Sequence, residues 1–207
     1  MTPAKKRGPY HHGDLRAALI DTAVELIASR GVRGFSLSEA SRHLGVSVAA
    51  PYRHFADRDE LLVAVAARAL SRLADAVTAA AGKPESPADR LADAARAYVR
   101  FAGDNRPLFE ALFVAGVDKS RHPELGTAGE PVSAAFVNPA RAVCGGSASE
   151  GQDLAVAVAI AAHGHAALFL DGAFGKGDEA LETAVTHAAA VTHALVTGRA
   201  ALRGPTS

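Results

Sequence analysis

Residues Phe35 to Leu62 read FSLSEASRHLGVSVAAPYRHFADRDELL, and this stretch decides the fold. Ser36 offers a capping hydroxyl, Glu39 follows three residues later and Phe35 precedes as a hydrophobic staple; together they mark a helix start. Gly45 ends that helix, because a left-handed backbone costs glycine little. A second short segment, Ser47 to about Phe55, follows the turn. Asp57 then caps a third helix, with Glu60 three residues on. Two short helices across a tight glycine turn fit the helix-turn-helix plan. Ala40 and Ser41 are small enough for the helices to cross closely, and Leu37, Leu44, Val46 and Phe55 supply the supporting core. Pro51 lacks an amide hydrogen and disfavours helical geometry at Ala50, so either the first turn of the second segment is irregular or its helix begins near Pro51.

Outward from this block the chain continues in helices. Upstream, Asp14 to Arg30 places Leu15, Leu19, Ala23, Leu26 and Ile27 at 3.6-residue spacing. Downstream, the helix capped by Asp57 runs through Leu61, Leu62, Val65, Ala69, Leu73 and Val77 to about Ala81, where Gly82 and Pro84 end it. That helix bridges two expected domains, residues 1–60 with the helix-turn-helix and residues 61–207. Ser86-Pro87 opens the next helix, with Leu91, Ala95, Tyr98, Phe101 and Ala102 on its apolar face. Pro107 breaks it, and a short helix Leu108–Val114 follows. Gly116 to Glu130 reads as a loop and Pro131 to Cys144 as a weaker helix. The last two helices are Ser149 to about Asp171 and Asp178 to Thr197. The expected fold is all-α, with about nine helices.

Hydrophobic residues make up 49% of the 207 residues and aromatics only 5%, a balance suited to closely packed alanine-rich helices. Net charge is zero, but unevenly spread. Residues 1–72 hold 11 Lys and Arg against 7 Asp and Glu; residues 73–207 hold 11 against 15. The basic half is the helix-turn-helix half, as an electrostatic footprint for DNA requires. A polar, basic start argues against a secretory signal, and the single Cys144 excludes an internal disulfide or a cysteine metal site, so a cytoplasmic protein is expected. From Leu154 to Leu170 no residue is charged, yet the run is short for a membrane span and has no Lys or Arg flank. A helix buried by protein on most sides is the expectation, with no membrane partner.

The second helix of a helix-turn-helix enters the major groove, where base edges differ. Ser47, Val48, Ala49, Ala50 and Arg53 occupy that part, and Arg53 is the strongest base reader. Ser36 and Ser38 add hydroxyl and amide contacts at a helix N-terminus. Lys5, Lys6 and Arg7 form a basic arm that can reach phosphates or the minor groove.

The block from about Leu15 to Val65, with LIASRGVRGFSLSEASRHLGVS followed by PYRHFADRDELL, resembles the DNA-binding domain of the tetracycline-repressor (TetR) family of transcriptional regulators. By that resemblance Tyr52 and His54 lie at phosphate contacts, and Arg58 is a basic phosphate ligand. Pro51 stands where many members carry an aliphatic residue. AHGHAALFLDGAF is similar to the C-terminal domain of a subgroup marked by Trp-His-Gly, with Ala162 in place of the tryptophan. The family pattern implies a homodimer through the last two helices, here Leu154, Val158, Ala161, His165 and Leu168 with Leu181, Val185, Ala188, Val191 and Leu195. It also implies a pocket for an unidentified, mainly apolar small-molecule effector, with Tyr98, Phe101, Phe109, Phe113, Phe136 and His163 as lining and Arg100 and Asp104 as polar exceptions. The partners expected are then a double-stranded DNA operator, a second copy and the effector.

Other readings are a DNA binder without an effector, or an all-α enzyme. The enzyme reading lacks support: the sequence has no Gly-rich phosphate loop, His-Glu metal motif or nucleophile elbow, so no catalytic residue, metal ligand or cofactor is assigned. His163 and His165, two residues apart on a helix, diverge and do not make a metal pair.

Overall fold

The computed structural model describes residues 15–82, 86–113, 115–116 and 121–202. Among the described residues there are eight α-helices and two 3-10 turns and no strand. The helices are α1 (Leu15–Arg30), α2 (Leu37–Leu44), α3 (Arg58–Ala81), α4 (Pro87–Asp104), α5 (Arg106–Phe113), α6 (Pro123–Val143), α7 (Ala148–Leu170) and α8 (Asp178–Thr197). The 3-10 turns are Pro51–Arg53 and Arg199–Leu202. Lys5, Lys6 and Arg7 lie outside the described residues.

The caps form as the sequence predicts. Ser36 is extended, and its hydroxyl accepts the Glu39 amide at 3.2 Å. The Glu39 carboxylate does not turn back to close a capping box. It pairs with Arg30 at the end of α1, tying the first two helices together. Gly45 is left-handed at φ 69°, its amide donating to the Arg42 carbonyl at 3.2 Å while the Val46 amide reaches Ser41 at 3.0 Å. This paired closure stops α2. Asp57 caps α3 by accepting the Glu60 amide at 2.8 Å.

The expected helix from Ser47 to Phe55 is not present as such. Ser47 to Ala50 is a turn, and only Pro51–Arg53 is helical, in the tighter 3-10 form. Ala50 keeps helical dihedrals despite the following proline. What the proline removes is the early amide donor, and successive three-residue closures take the place of an α-helix: Ala50 to Ser47 at 3.0 Å, Arg53 to Ala50 at 3.3 Å and His54 to Pro51 at 2.9 Å.

A second correction concerns the expected loop from Gly116 to Glu130. Residues from Pro123 onward are helical, so α6 has 21 residues and carries Pro131 and Pro139 inside it. Pro123 sits in the first turn, where its missing amide costs nothing. Packing along α3 then overrides the glycines and prolines: Leu125, Ala135, Phe136 and Ala140 are buried.

One core runs from Leu19 and Ile27 in α1 to Ala162 and Ala166 in α7. α3 packs against α1, α4, α5 and α6, while α4 packs against α3, α5, α6, α7 and α8. α7 is not buried on most sides: its outward face leaves Val156, Ile160 and Leu168 46%, 67% and 51% exposed. It is long and apolar enough to cross a membrane by length and composition, but its other faces pack on α4, α6 and α8.

Leu154 is enclosed where α7 meets the core. Leu154→Ala is expected to destabilise the protomer by about 2–5 kcal/mol, measured as a lowered urea midpoint with an unchanged slope.

Candidate functional site

The N-terminal end of the molecule presents a row of exposed side chains on a buried frame. Val48 is 52% and Tyr52 53% exposed. Ser47, Ala49 and Arg53 are exposed as well, and Ala50 and His54 are half-buried. Beneath them Pro51 and Phe55 are buried, and the Arg16 guanidinium of α1 lies 5.2 Å from the centroid of the Phe55 ring. Tyr52 is therefore a surface residue, not part of the core. Among the described residues Arg53 makes no ion pair or side-chain hydrogen bond, which leaves its guanidinium available to an outside acceptor. Ser36 and Ser38 stand at the start of α2, Ser36 exposed and Ser38 half-buried.

Arg58 has a different setting. Its Nε donates to the Phe35 carbonyl at 3.1 Å, a second nitrogen donates to the Val32 carbonyl, and the third faces Asp59 at 3.3 Å. The guanidinium also lies over the Phe35 ring at 5.0 Å. The side chain thus ties the α1–α2 connection to the first residue of α3. Charge-assisted bonds to carbonyls are among the stronger local ties, so Arg58 orders the platform that carries the exposed row.

In the other half, a cavity of about 680 Å³ lies between α3, α4, α6 and α7. Of the six expected lining residues, Tyr98, Phe113, Phe136 and His163 border it. Phe101 and Phe109 do not: both are buried in the core, and Phe109 stacks on His163 at 5.5 Å from behind the lining. The Tyr98 hydroxyl and His163 Nδ1 share a hydrogen bond at 3.0 Å. Burial pushes the Tyr98 phenol well above its ordinary range, so it stays neutral. Arg100 turns away to a two-pronged bond with Glu182 on α8, at 2.6 and 2.9 Å. Leu70, Leu73, Ser133, Gln152, Val156 and Ile160 also line the cavity, and the sequence does not single them out. The uncharged run from Leu154 is the one signal that points to Val156 and Ile160.

The expected dimer residues divide in two. Leu154, Val158, Leu181, Val185 and Ala188 are 1%, 0%, 8%, 3% and 1% exposed, enclosed by α4 and the α7–α8 contact within one protomer. They cannot also meet a second copy. The periodicity marks them as apolar but does not say which apolar neighbour covers them. Leu168 and Val191 are exposed at 51% and 37%, and Ala161, His165 and Leu195 are half-buried. His165 Nδ1 donates to the Ala161 carbonyl at 2.7 Å, its ring stacking on Phe174 at 6.0 Å. Among the described residues no group of three or more His, Cys, Asp or Glu is placed to hold a metal.

Comparison with known proteins bears on both halves. The family model for bacterial regulatory proteins of the tetR family matches residues 19–65, and that for the tetracyclin repressor-like C-terminal domain matches residues 91–192. HTH-type transcriptional regulator BetI of Rhizobium meliloti (strain 1021) is 32% identical over 85 residues, 41% of this chain and 42% of that protein. The chain thus spans about two-fifths of the length of the curated relatives it matches. Among solved structures, a protein of unknown function from Rhodococcus sp. RHA1 superposes with a TM-score of 0.71 at 30% identity, covering 91% of this chain and 98% of that one. PfmR of Thermus thermophilus, a TetR family transcriptional regulator, superposes with a TM-score of 0.62 at 21% identity, covering 91% and 99%. At that identity the likeness to PfmR shows the fold alone.

The division of α7 and α8 into an inner and an outer face has a direct test. Val185→Asp buries a carboxylate beside α4 and is expected to unfold the protomer, seen as lost helical circular dichroism. Leu168→Glu points to solvent in the protomer and is expected to keep the full helical signal.

Proposed function

The chain belongs to the TetR family of bacterial regulatory proteins, and we propose that it is a cytoplasmic transcriptional repressor that binds a DNA operator as a homodimer and releases it when a small molecule fills the cavity. The observation that carries this reading is the exposed row at the N-terminal end, Val48, Ala49, Tyr52 and Arg53, set on the buried Pro51 and Phe55. Surface this apolar beside an uncommitted guanidinium suits a groove that offers both thymine methyls and guanine acceptors.

In this reading Ser47, Val48, Ala49 and Ala50 face base edges and Arg53 pairs with guanine. Tyr52, His54, Ser36 and Ser38 hold phosphates and set the register. Arg58 supports them through its bonds to Val32 and Phe35. Two copies related by a two-fold axis then read two half-sites of a palindrome. The family and fold are those of regulators, and in the cavity the neutral Tyr98 phenol is hydrogen-bonded to the His163 imidazole.

The release mechanism rests on α3. Its first residue is bonded to the helix-turn-helix, and Leu70 and Leu73, further along the same helix, line the cavity. A molecule that fills the cavity displaces these side chains and tilts the helix. The two recognition segments then no longer match the spacing of the half-sites.

Fluorescence anisotropy with a duplex selected for tight binding tests the DNA reading. Affinity is expected to fall steeply with salt, because phosphate contacts release counterions. Arg53→Ala is expected to cost about 1–3 kcal/mol on that duplex and to relax preference at one base position. Equal affinity for selected and random duplexes would contradict the assignment of sequence-specific binding.

A further inference from the structure

α6 has two working sides. Ser133, Phe136 and Val137 border the larger cavity, while Pro131, Ala134, Ala135 and Asn138 face a separate groove of about 340 Å³. Thr78 and Gly82 at the end of α3 and Arg90 at the start of α4 complete it. The groove shares no lining residue with the larger cavity, so its occupancy does not depend on the effector reading. Ligand sites span about 300–1,000 Å³, so the groove suits a small molecule. Among the described residues no acid lines it.

Arg90 stands there at a cost. Its Nε is the one buried side-chain nitrogen or oxygen without a hydrogen-bond partner among the described residues. A charged donor stripped of water and left without an acceptor is destabilising. As the fourth residue of α4, Arg90 also sets a positive charge near the positive end of the helix dipole. The neighbouring carboxylate relieves neither cost: Asp89 takes the Ser86 hydroxyl at 2.5 Å and faces His193 of α8 at 3.7 Å. An apolar side chain would cover the same surface without either cost. An anionic acceptor in the groove removes both.

We propose that this groove binds a small monocarboxylate, its two oxygens taken by the fork of the Arg90 guanidinium and its apolar body laid on Pro131, Ala134 and Pro139. The guanidinium turns on its stem to bring the covered Nε to the ligand, a motion open to a side chain with this many rotamers. Thr78 and Asn138, exposed at the rim, add a hydroxyl and an amide as further donors. A single negative charge fits best. The groove has one cation, and Gly82 marks the carbonyl end of α3, whose partial negative charge repels the second charge of a phosphate. The bound molecule bridges the end of α3, the start of α4 and the middle of α6.

Calorimetric titration of the full-length protein with benzoate tests the site, beside benzamide as the uncharged isostere and phenyl phosphate as the doubly charged one. Benzoate is expected to bind with a dissociation constant of about 1 mM or lower, benzamide at least about tenfold more weakly, and phenyl phosphate no more tightly than benzoate. Arg90→Met keeps an apolar stem and removes the unpartnered donor. It is expected to weaken benzoate at least about tenfold, while the thermal midpoint of the free protein stays equal or rises. If that variant does not fold, Arg90→Lys, which keeps the charge without the fork, takes its place and is expected to weaken benzoate at least about threefold. Ala159→Phe, which fills part of the larger cavity, is expected to leave benzoate affinity unchanged. Absence of saturable benzoate binding at about 10 mM, or an affinity that ignores the Arg90 variants or falls with Ala159→Phe, would overturn the site. A lowered midpoint with unchanged benzoate affinity would make Arg90 a structural residue instead. Benzamide that binds as well as benzoate, or phenyl phosphate that binds better, would overturn the ligand class.

Discussion

The structure depends on one helix being rigid and shared. α3 has 24 residues, about 36 Å of continuous backbone. Ten of its side chains, from Leu61 to Val77, are buried. They pack on α1 and α5 near its start and on α4 and α6 along its length. A helix held on so many sides cannot bend cheaply, because displacing any close-packed side chain forces its neighbours to move. Whatever moves one end of α3 therefore moves the other.

The two ends are attached differently. At the start, Asp57 fixes the first turn and Arg58 bonds the carbonyls of Val32 and Phe35. The Arg68–Asp21 pair adds a tie between α3 and α1. These bonds make the helix-turn-helix and the start of α3 one body. Further along, the buried Leu70 and Leu73 border the cavity. The helix is thus bonded to the platform where DNA recognition is proposed and forms part of the wall where a ligand is proposed to enter. A regulator needs one element that both of its sites bias.

Much of this is legible in the sequence, because short-range chemistry decides it. Ser36, Gly45, Asp57 and Ser86 carry out the capping roles their identities imply. What the sequence does not reveal depends on long-range packing. Pro123 to Glu130 looks like loop by composition, yet it is helical because α3 offers it a surface to cover. Val185 and Leu168 both belong to apolar runs, and only the position of α4 decides that one is enclosed and the other exposed. Arg58 illustrates the same limit: its charge and place suggest a phosphate ligand, but the carbonyls it holds come from residues 23 and 26 positions away. Phe109 and Phe113, four residues apart on one face of α5, both reach His163 on α7; Phe109 is buried and only Phe113 borders the cavity, a difference in depth that periodicity alone does not specify.

The central claim is that the cavity and the DNA-facing end are coupled through α3, and it can be tested without knowing the effector. Ala159 lines the cavity and lies far along the chain from the recognition segment. Ala159→Phe partly fills the space a ligand would take. The measurement is operator affinity of this variant, beside its helical signal and sedimentation. Coupling predicts a folded dimer with clearly weakened operator binding. A folded dimer whose cavity is filled and whose operator affinity equals that of the wild type would contradict it.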